Sequence, residues 1–280
     1  MPELPEVETV ARQLAPSLIG RRIVALRILD PLLRDGPAPP LAGRAVTGVA
    51  RSGKRVLIAL SPHRGGRDAL WLAVHLRMTG RLLWRSKDAA GTRPHHRARL
   101  TFEGGELLFA DTRRFGTFAW CRRREDAEPE GVDPLAAELT VARLADLLRE
   151  SPQPLKTWLL RQDRLVGLGN IYASEILHHA RLSPFRAAGT LGRDEVRRLH
   201  ASTRRVLKRA IRHCGTTFSD FQDARGDEGS FQRFLAVYDR AGRPCRRCRS
   251  PIARSVQGQR STFYCPVCQR ARRTPPPRER

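Results

Sequence analysis

Apolar side chains at Val7, Val10, Ala11, Leu14 and Leu18 recur at helical spacing behind Pro5, with Glu6 and Glu8 in the first turn and Gly20 at the far end. That pattern predicts an opening helix. From residue 22 to about 121 the period shortens. Apolar, β-branched or aromatic runs at 22–28, 55–60, 70–76, 99–102, 107–110 and 117–121, separated by Gly, Pro and charged turns, predict a mostly antiparallel β domain. Helical spacing returns at 141–149, 155–161, 171–180 and 194–213, with Pro or Gly breaks between. The chain therefore divides into a β domain over 1–125, a charged linker at 126–134 and a domain over 135–232 that is helical at its start, giving the α+β class. Residues 215–231 have little apolar content and contain Gly226, Asp227 and Gly229, the composition of a loop that carries selectivity. Residues 271–280, with three prolines among arginines, are expected to be disordered.

Charge narrows the partners. Lys and Arg total 52 against 28 Asp and Glu, a net +24, and the pI is near 11.4, so the chain calls for a polyanion. Only Lys54, Lys87, Lys156 and Lys208 are lysines. The arginine excess fits guanidinium reading of phosphate and guanine, and equally an arginine-biased coding composition. A membrane surface is disfavoured because no apolar run approaches the ~18 residues of a spanning helix. The first thirty residues carry Glu3, Glu6 and Glu8 without an uninterrupted apolar stretch, so no secretory signal is read and a cytoplasmic location is expected.

Four of six cysteines form Cys245-x2-Cys248 and Cys265-x2-Cys268. Two such knuckles supply four thiolates for a tetrahedral Zn²⁺, one per chain, with no position left for water, so the metal is structural and the finger occupies 236–270. Between Arg240 and Arg273 stand ten arginines and no acid, which suits phosphate contact. Cys121 and Cys214 are left over as core thiols.

Removal of Met1 exposes the secondary amine of Pro2 just ahead of the positive end of the opening helix, a field that favours the neutral, nucleophilic form. A prolyl amine attacking a sugar C1′ gives an iminium that cannot lose an N–H proton, and Glu3 beside it can act as acid and base. By themselves these two residues read as an ordinary mature N-terminus and a helix-start acid.

The opening MPELPEVET resembles that of the formamidopyrimidine-DNA glycosylase (Fpg/MutM) type of the Fpg/Nei family. Further blocks agree in order: Lys54 before a strand, HLRMTG at 75–80, DTRRFG at 111–116, GLGNIYASE at 167–175, CGTT at 214–217 and QRSTFYC at 259–265. The resemblance implies an N-terminal β-sandwich, a helix-two-turn-helix domain and a zinc-ribbon hairpin, with DNA between the domains and a monomeric chain. It further implies a bifunctional glycosylase/AP lyase of base excision repair, removing 8-oxoguanine and formamidopyrimidines from double-stranded DNA. Pro2 is then the Schiff-base nucleophile, Glu3 the acid/base, and Lys54 and Arg260 the proton donors for β- and δ-elimination. His95, Lys156 and Asn170 contact phosphate, while Met78, Arg113 and Phe115 fill the gap left by an extruded base, Arg113 also reaching the orphaned partner. Two alternatives stay open: an endonuclease VIII-like preference for oxidised pyrimidines, and a non-catalytic DNA-binding homologue. Three positions depart from the family pattern: Arg77 where glycine is usual, Arg97 where a second histidine is common, and Ser219 where a basic residue is frequent.

Overall fold

The computed structural model describes residues 1–33, 38–63, 66, 68–86, 95–217 and 221–270. Ser219 and the tail at 271–280 lie outside the described residues. The opening helix α1, Leu4–Leu18, begins one residue before the expected Pro5 because Glu3 is its N-cap: the Glu3 and Glu6 side chains close a reciprocal capping box that satisfies two otherwise orphaned amides. At its far end the chain turns through Gly20 at φ +86°.

Eight strands follow: β1 Ile23–Ile28, β2 Val46–Ser52, β3 Arg55–Leu60, β4 Leu70–His75, β5 Arg81–Ser86, β6 His96–Phe102, β7 Gly105–Ala110 and β8 Thr117–Cys121. They form two four-stranded antiparallel sheets, ordered β1-β6-β7-β5 and β2-β3-β4-β8. Alternation along β3 shows how a near-continuous apolar run is used. Val56, Ile58 and Leu60 face the main core with Val7, Val10, Leu14 and Leu18 of α1 and Phe102 and Phe109 of the other sheet, while Leu57 packs on Ala73 and Ala127. Each fully buried Leu, Val or Phe contributes on the order of 1.5–3 kcal/mol. The sequence pattern does not announce β2 and β5. Gly48, Arg51 and Ser52 dilute the first, and Arg81 and Arg85 bracket the short apolar centre of the second.

The chain forms two compact units, 1–130 with 208–233, and 131–207 with 234–280. The segment 208–233 belongs with the β-sheets because its backbone is bonded there: Trp84 N–H donates to Ala224 C=O, Gln13 brackets Asp223 and Ala224, and Arg81 donates to Gln222. The second unit holds α2 Val141–Leu148, α3 Leu155–Leu159, α4 Asn170–Ala180, most of α5 Arg193–Arg212, and the hairpin β9 Ala253–Gln257 with β10 Arg260–Tyr264. Helix α4 packs on β10. From α4 the fully buried Glu175 accepts the backbone N–H groups of Ala236, Val237 and Tyr238 at 2.8–2.9 Å, fixing the entry to the hairpin. Burial pushes its carboxyl up, opposed by those three amides. Among the described residues no helix is long and apolar enough to cross a membrane.

Candidate active site and nucleic-acid contacts

In the first unit, Pro2 and Glu3 are buried at the N-terminal end of α1, Glu3 only 3% exposed, while Met1 is exposed. Glu6 sets this terminus. One of its oxygens accepts Glu3 N–H at 2.8 Å and the other accepts Thr216 N–H at 2.7 Å. Gly215, at φ +79°, must be glycine, since a Cβ there would sit 2.6 Å from the same carboxylate. The capping-box spacing of Glu3 and Glu6 is a signal by which Glu6 is legible, although its second partner is not.

Lys54 lies with Gly53 at the tip of the tight β2–β3 turn, where Ser52 pairs with Arg55 and Gly53 adopts φ +55°. The turn is tied to α1. Arg51 donates to Glu8 at 2.8 Å and to Gly53 C=O at 3.4 Å, and Glu8 also accepts from Arg12. Burial raises the Glu8 carboxyl, but Arg51 and Arg12 outweigh it and hold it below the usual range.

Met78 and Phe115 are exposed, at 39% and 51%, two of ten large apolar side chains exposed among the described residues. The Arg113 guanidinium sits 4.9 Å over the Phe115 ring. His95 is exposed in a left-handed turn at φ 71° and its C=O accepts Asp111 N–H at 3.0 Å. His75, at the end of β4, accepts Arg77 N–H on Nδ1 at 3.0 Å. Burial first, then the cations Arg77, Arg55 and Lys54, depress its pKa to about 3, so its ring is neutral. Arg97 does not stand in for a surface histidine, because its Nε donates to Asp111 C=O at 2.8 Å.

In the second unit, Arg260 is exposed as the first residue of β10, beyond a two-residue turn whose Gly258 and Gln259 both have positive φ. The residues after it are clamped. Lys156 Nζ donates to Ser261 C=O and Thr262 Oγ1, both at 2.8 Å, and Asn170 Nδ2 donates to Ser261 C=O at 2.9 Å. Lys156, for which a phosphate contact is expected, has a completely buried side chain with its ammonium turned onto the hairpin. Asn170 is the first residue of α4, and its Nδ2 donates to the C=O of Ser261, the residue next to Arg260.

The Sγ atoms of Cys245, Cys248, Cys265 and Cys268 all lie within 4.8 Å of one another. Tetrahedral zinc with ~2.3 Å Zn–S bonds needs sulfurs about 3.8 Å apart, and the pairs at 4.0 Å (Cys245, Cys268) and 3.3 Å (Cys248, Cys265) bracket that value. Backbone amides point at the sulfurs, Arg247 N–H at Cys245 (3.4 Å) and Cys268 N–H at Cys265 (3.3 Å), as thiolate ligands require. Without a cation, Cys248 and Cys268 do not ionise together near neutral pH. Ser250 N–H, then Cys265, hold Cys248 near 6, whereas burial and the neighbouring thiols push Cys268 up to about 12. A divalent ion removes that conflict. Sequence spacing did not reveal His178, whose buried Nε2 lies 3.5 Å from Cys245 Sγ.

Family models match along most of the chain: "Formamidopyrimidine-DNA glycosylase N-terminal domain" over residues 1–118, "Formamidopyrimidine-DNA glycosylase H2TH domain" over 131–222, and "Zinc finger found in FPG and IleRS" over 242–271. Curated relatives include the formamidopyrimidine-DNA glycosylase of Chloroflexus aurantiacus, 41% identical over 96% of this chain and 98% of the relative. Among solved structures, the MutM (Fpg) protein of Thermus thermophilus superposes with a TM-score of 0.85 at 40% identity, covering 96% of this chain and 98% of that one. Lactococcus lactis Fpg in complex with abasic-site DNA superposes with a TM-score of 0.85 at 31% identity, covering 96% and 100%.

Proposed function

The chain belongs to the formamidopyrimidine-DNA glycosylase family, and on that premise we propose that it excises oxidised purines from duplex DNA through a Schiff base on Pro2, then cuts the strand by β,δ-elimination. It is a DNA glycosylase of base excision repair with a zinc finger holding one structural Zn²⁺, and its partner is damaged double-stranded DNA. Working on chromosomal DNA, it is assigned to the cytoplasm.

The observation that carries the catalytic reading is the buried Glu3 at the start of α1, its backbone held by Glu6 next to Pro2. With Met1 removed, the Pro2 nitrogen attacks C1′ and the base leaves with the C1′–N bond pair. Glu3 protonates the ring oxygen as the sugar opens, leaving a cationic iminium. Loss of a C2′ proton then expels the 3′ phosphate, assisted by Lys54. A second elimination expels the 5′ phosphate, assisted by Arg260. Met78, Arg113 and Phe115 occupy the vacated stack, and His95 and Asn170 serve the phosphates on either side.

A Lactococcus lactis Fpg mutant has been captured with Fapy-dG DNA and the wild-type protein with DNA containing an oxidised pyrimidine, so lesion preference has to be measured directly. Borohydride trapping on duplexes carrying 8-oxoguanine or an oxidised pyrimidine, with Met1 removal verified by mass, is expected to give a covalent adduct. It should form fastest with 8-oxoguanine opposite cytosine. Pro2→Gly, which keeps an amine, retains partial trapping. Equal trapping by protein with a blocked N-terminus would overturn the assignment to Pro2, and faster action on the pyrimidine duplex would overturn the assignment to purines.

A further inference from the structure

Met78 and the Arg113/Phe115 pair come from different loops, 78 following β4 and 113–115 preceding β8, yet a wedge that fills one gap needs them at fixed separation. The side chain between the two loops is Asp111. It is 1% exposed, and its carboxylate is ringed by donors from both. Oδ1 accepts the Thr79 hydroxyl in a short hydrogen bond and Arg113 N–H at 3.2 Å, and Oδ2 accepts Gly116 N–H at 2.7 Å. Arg113 N–H is shared with Thr79 Oγ1 at 3.1 Å. The loop 111–116 is thus wrapped around one carboxylate that also grips the residue following Met78. Gly116 has no room for a side chain there: a Cβ would meet Phe109 at 2.4 Å and Asp111 Oδ2 at 3.1 Å.

The rest of the loop is braced from outside. Asp111 N–H donates to His95 C=O, Asp111 C=O accepts from Arg97, and Arg114, at φ 60°, donates to both oxygens of Asp30 at 2.7 and 2.8 Å. Hydrogen bonding from Arg114 holds the Asp30 carboxyl below its ordinary range despite burial, so this clamp stays charged. Four tied backbone groups (Asp111 N–H and C=O, Arg113 N–H and Gly116 N–H) and one ion pair fix the loop, while the side chains of Arg113 and Phe115 stay exposed.

We propose that Asp111 is a positioning residue that, with Thr79, locks the Met78 turn to the Arg113/Phe115 loop, so that the three side chains enter the base stack as one preorganised wedge. The inference rests on the gap-filling reading of those three residues. Ordering three side chains on two independent loops at the moment of insertion would cost conformational entropy at the eviction step. A shared buried carboxylate removes that cost beforehand. Asp111 touches neither substrate nor reacting atoms, so its loss should slow eviction rather than elimination.

The test uses the full-length zinc-loaded protein and two variants. Asp111→Asn turns one acceptor oxygen into a donor facing an N–H or hydroxyl, and Thr79→Val removes only the bridging hydroxyl. Base eviction is followed by stopped-flow fluorescence of 2-aminopurine placed beside an 8-oxoguanine, and strand cutting is measured separately at a preformed abasic site. Misplacing a wedge by about 1 Å is expected to slow the fluorescence rise and base excision together, on the order of 10- to 100-fold. Cutting at the preformed abasic site should change by less than about 3-fold, and Thr79→Val should show the same split if Asp111→Asn does not fold. The double variant should be no worse than the more severe single, because both break one hub. Unchanged eviction kinetics, or equal losses in both reactions, would overturn the proposal. Met78→Ala, Arg113→Ala and Phe115→Ala separate the premises. If these leave the fluorescence unchanged, the gap-filling reading fails; if they slow it and both hub variants do not, only the role of Asp111 fails.

Discussion

Glu6 accepts the backbone N–H of Thr216 at 2.7 Å across 210 residues of sequence, with the same carboxylate capping Glu3 through its other oxygen. One buried side chain therefore joins the N-terminus, proposed as the nucleophile, to the start of the loop expected to select the lesion. Gly215 makes the approach possible.

Gly215→Ala is predicted to be destabilising for two reasons, a positive φ and a Cβ 2.6–3.0 Å from three atoms of Glu6. Together they should cost about 2 kcal/mol or more, read as a lower urea midpoint at unchanged slope. Glu6→Gln leaves one amide facing an NH₂ group and should cost about 1–3 kcal/mol. Wild-type stability of either variant would contradict this arrangement.

Lys156 tests whether a basic residue works by charge or by placement. A phosphate contact would lower the slope of log affinity against log salt by about 1 when removed. Because Lys156 is spent on Ser261 and Thr262, Lys156→Met should leave the salt slope for DNA binding unchanged. It should instead weaken the second elimination step assigned to Arg260, visible as accumulation of the β-elimination product. A slope reduced by one would restore the phosphate reading.

His75 makes folding acid-sensitive. Its pKa lies near 3 in the folded chain against 6.5 for the free side chain, so the unfolded state takes up the proton first. Its contribution is complete above pH ~6.5 and is lost as pH falls toward 3, at no more than about 1.4 kcal/mol per pH unit. His75→Asn should flatten the dependence of Tm on pH between 6.5 and 4. An identical pH profile in the variant would refute the depressed pKa.

Arg77 carries a left-handed backbone, φ 53°, a region that glycine adopts without strain. Arg77→Gly should relieve about 1 kcal/mol of strain, largely offset by the entropy of glycine, and raise Tm by about one degree. A lower Tm would show that the guanidinium contributes more than the strain costs.

His178 lies against the metal ligands, and burial depresses its pKa to about 4, leaving a neutral ring whose Nε2–H can donate to Cys245 Sγ. Outer contacts of this kind are worth about 10- to 100-fold in metal affinity. His178→Phe should therefore release zinc to a chelator faster, followed with a chromogenic dye. Chelation of the wild type should unfold the hairpin, whose small core among the described residues is Val237, Cys245, Ile252, Phe263 and Cys265 with Tyr238, Cys248 and Cys268 packed against it. An unchanged release rate would remove His178 from the metal site.

The sequence by itself determined the elements whose signal is local. The apolar spacing of α1, the short apolar runs of β3, β4 and β8, the four helical stretches and the Cys-x2-Cys knuckles are all legible, because period and ligand spacing are properties of neighbours along the chain. Ordered motifs marked Pro2, Glu3, Lys54 and Arg260 as candidates. Tertiary structure decided which polar groups are spent on one another. Nothing near Lys156 in sequence shows that its ammonium ends buried against β10, and nothing near Glu6 announces Thr216. Asp111 likewise reads as one acid in an arginine-rich loop until Thr79 and Gly116 are folded around it. Burial of a charge is tolerated only where distant donors converge on it, and that convergence is fixed by the packing of strands and helices rather than by local pattern.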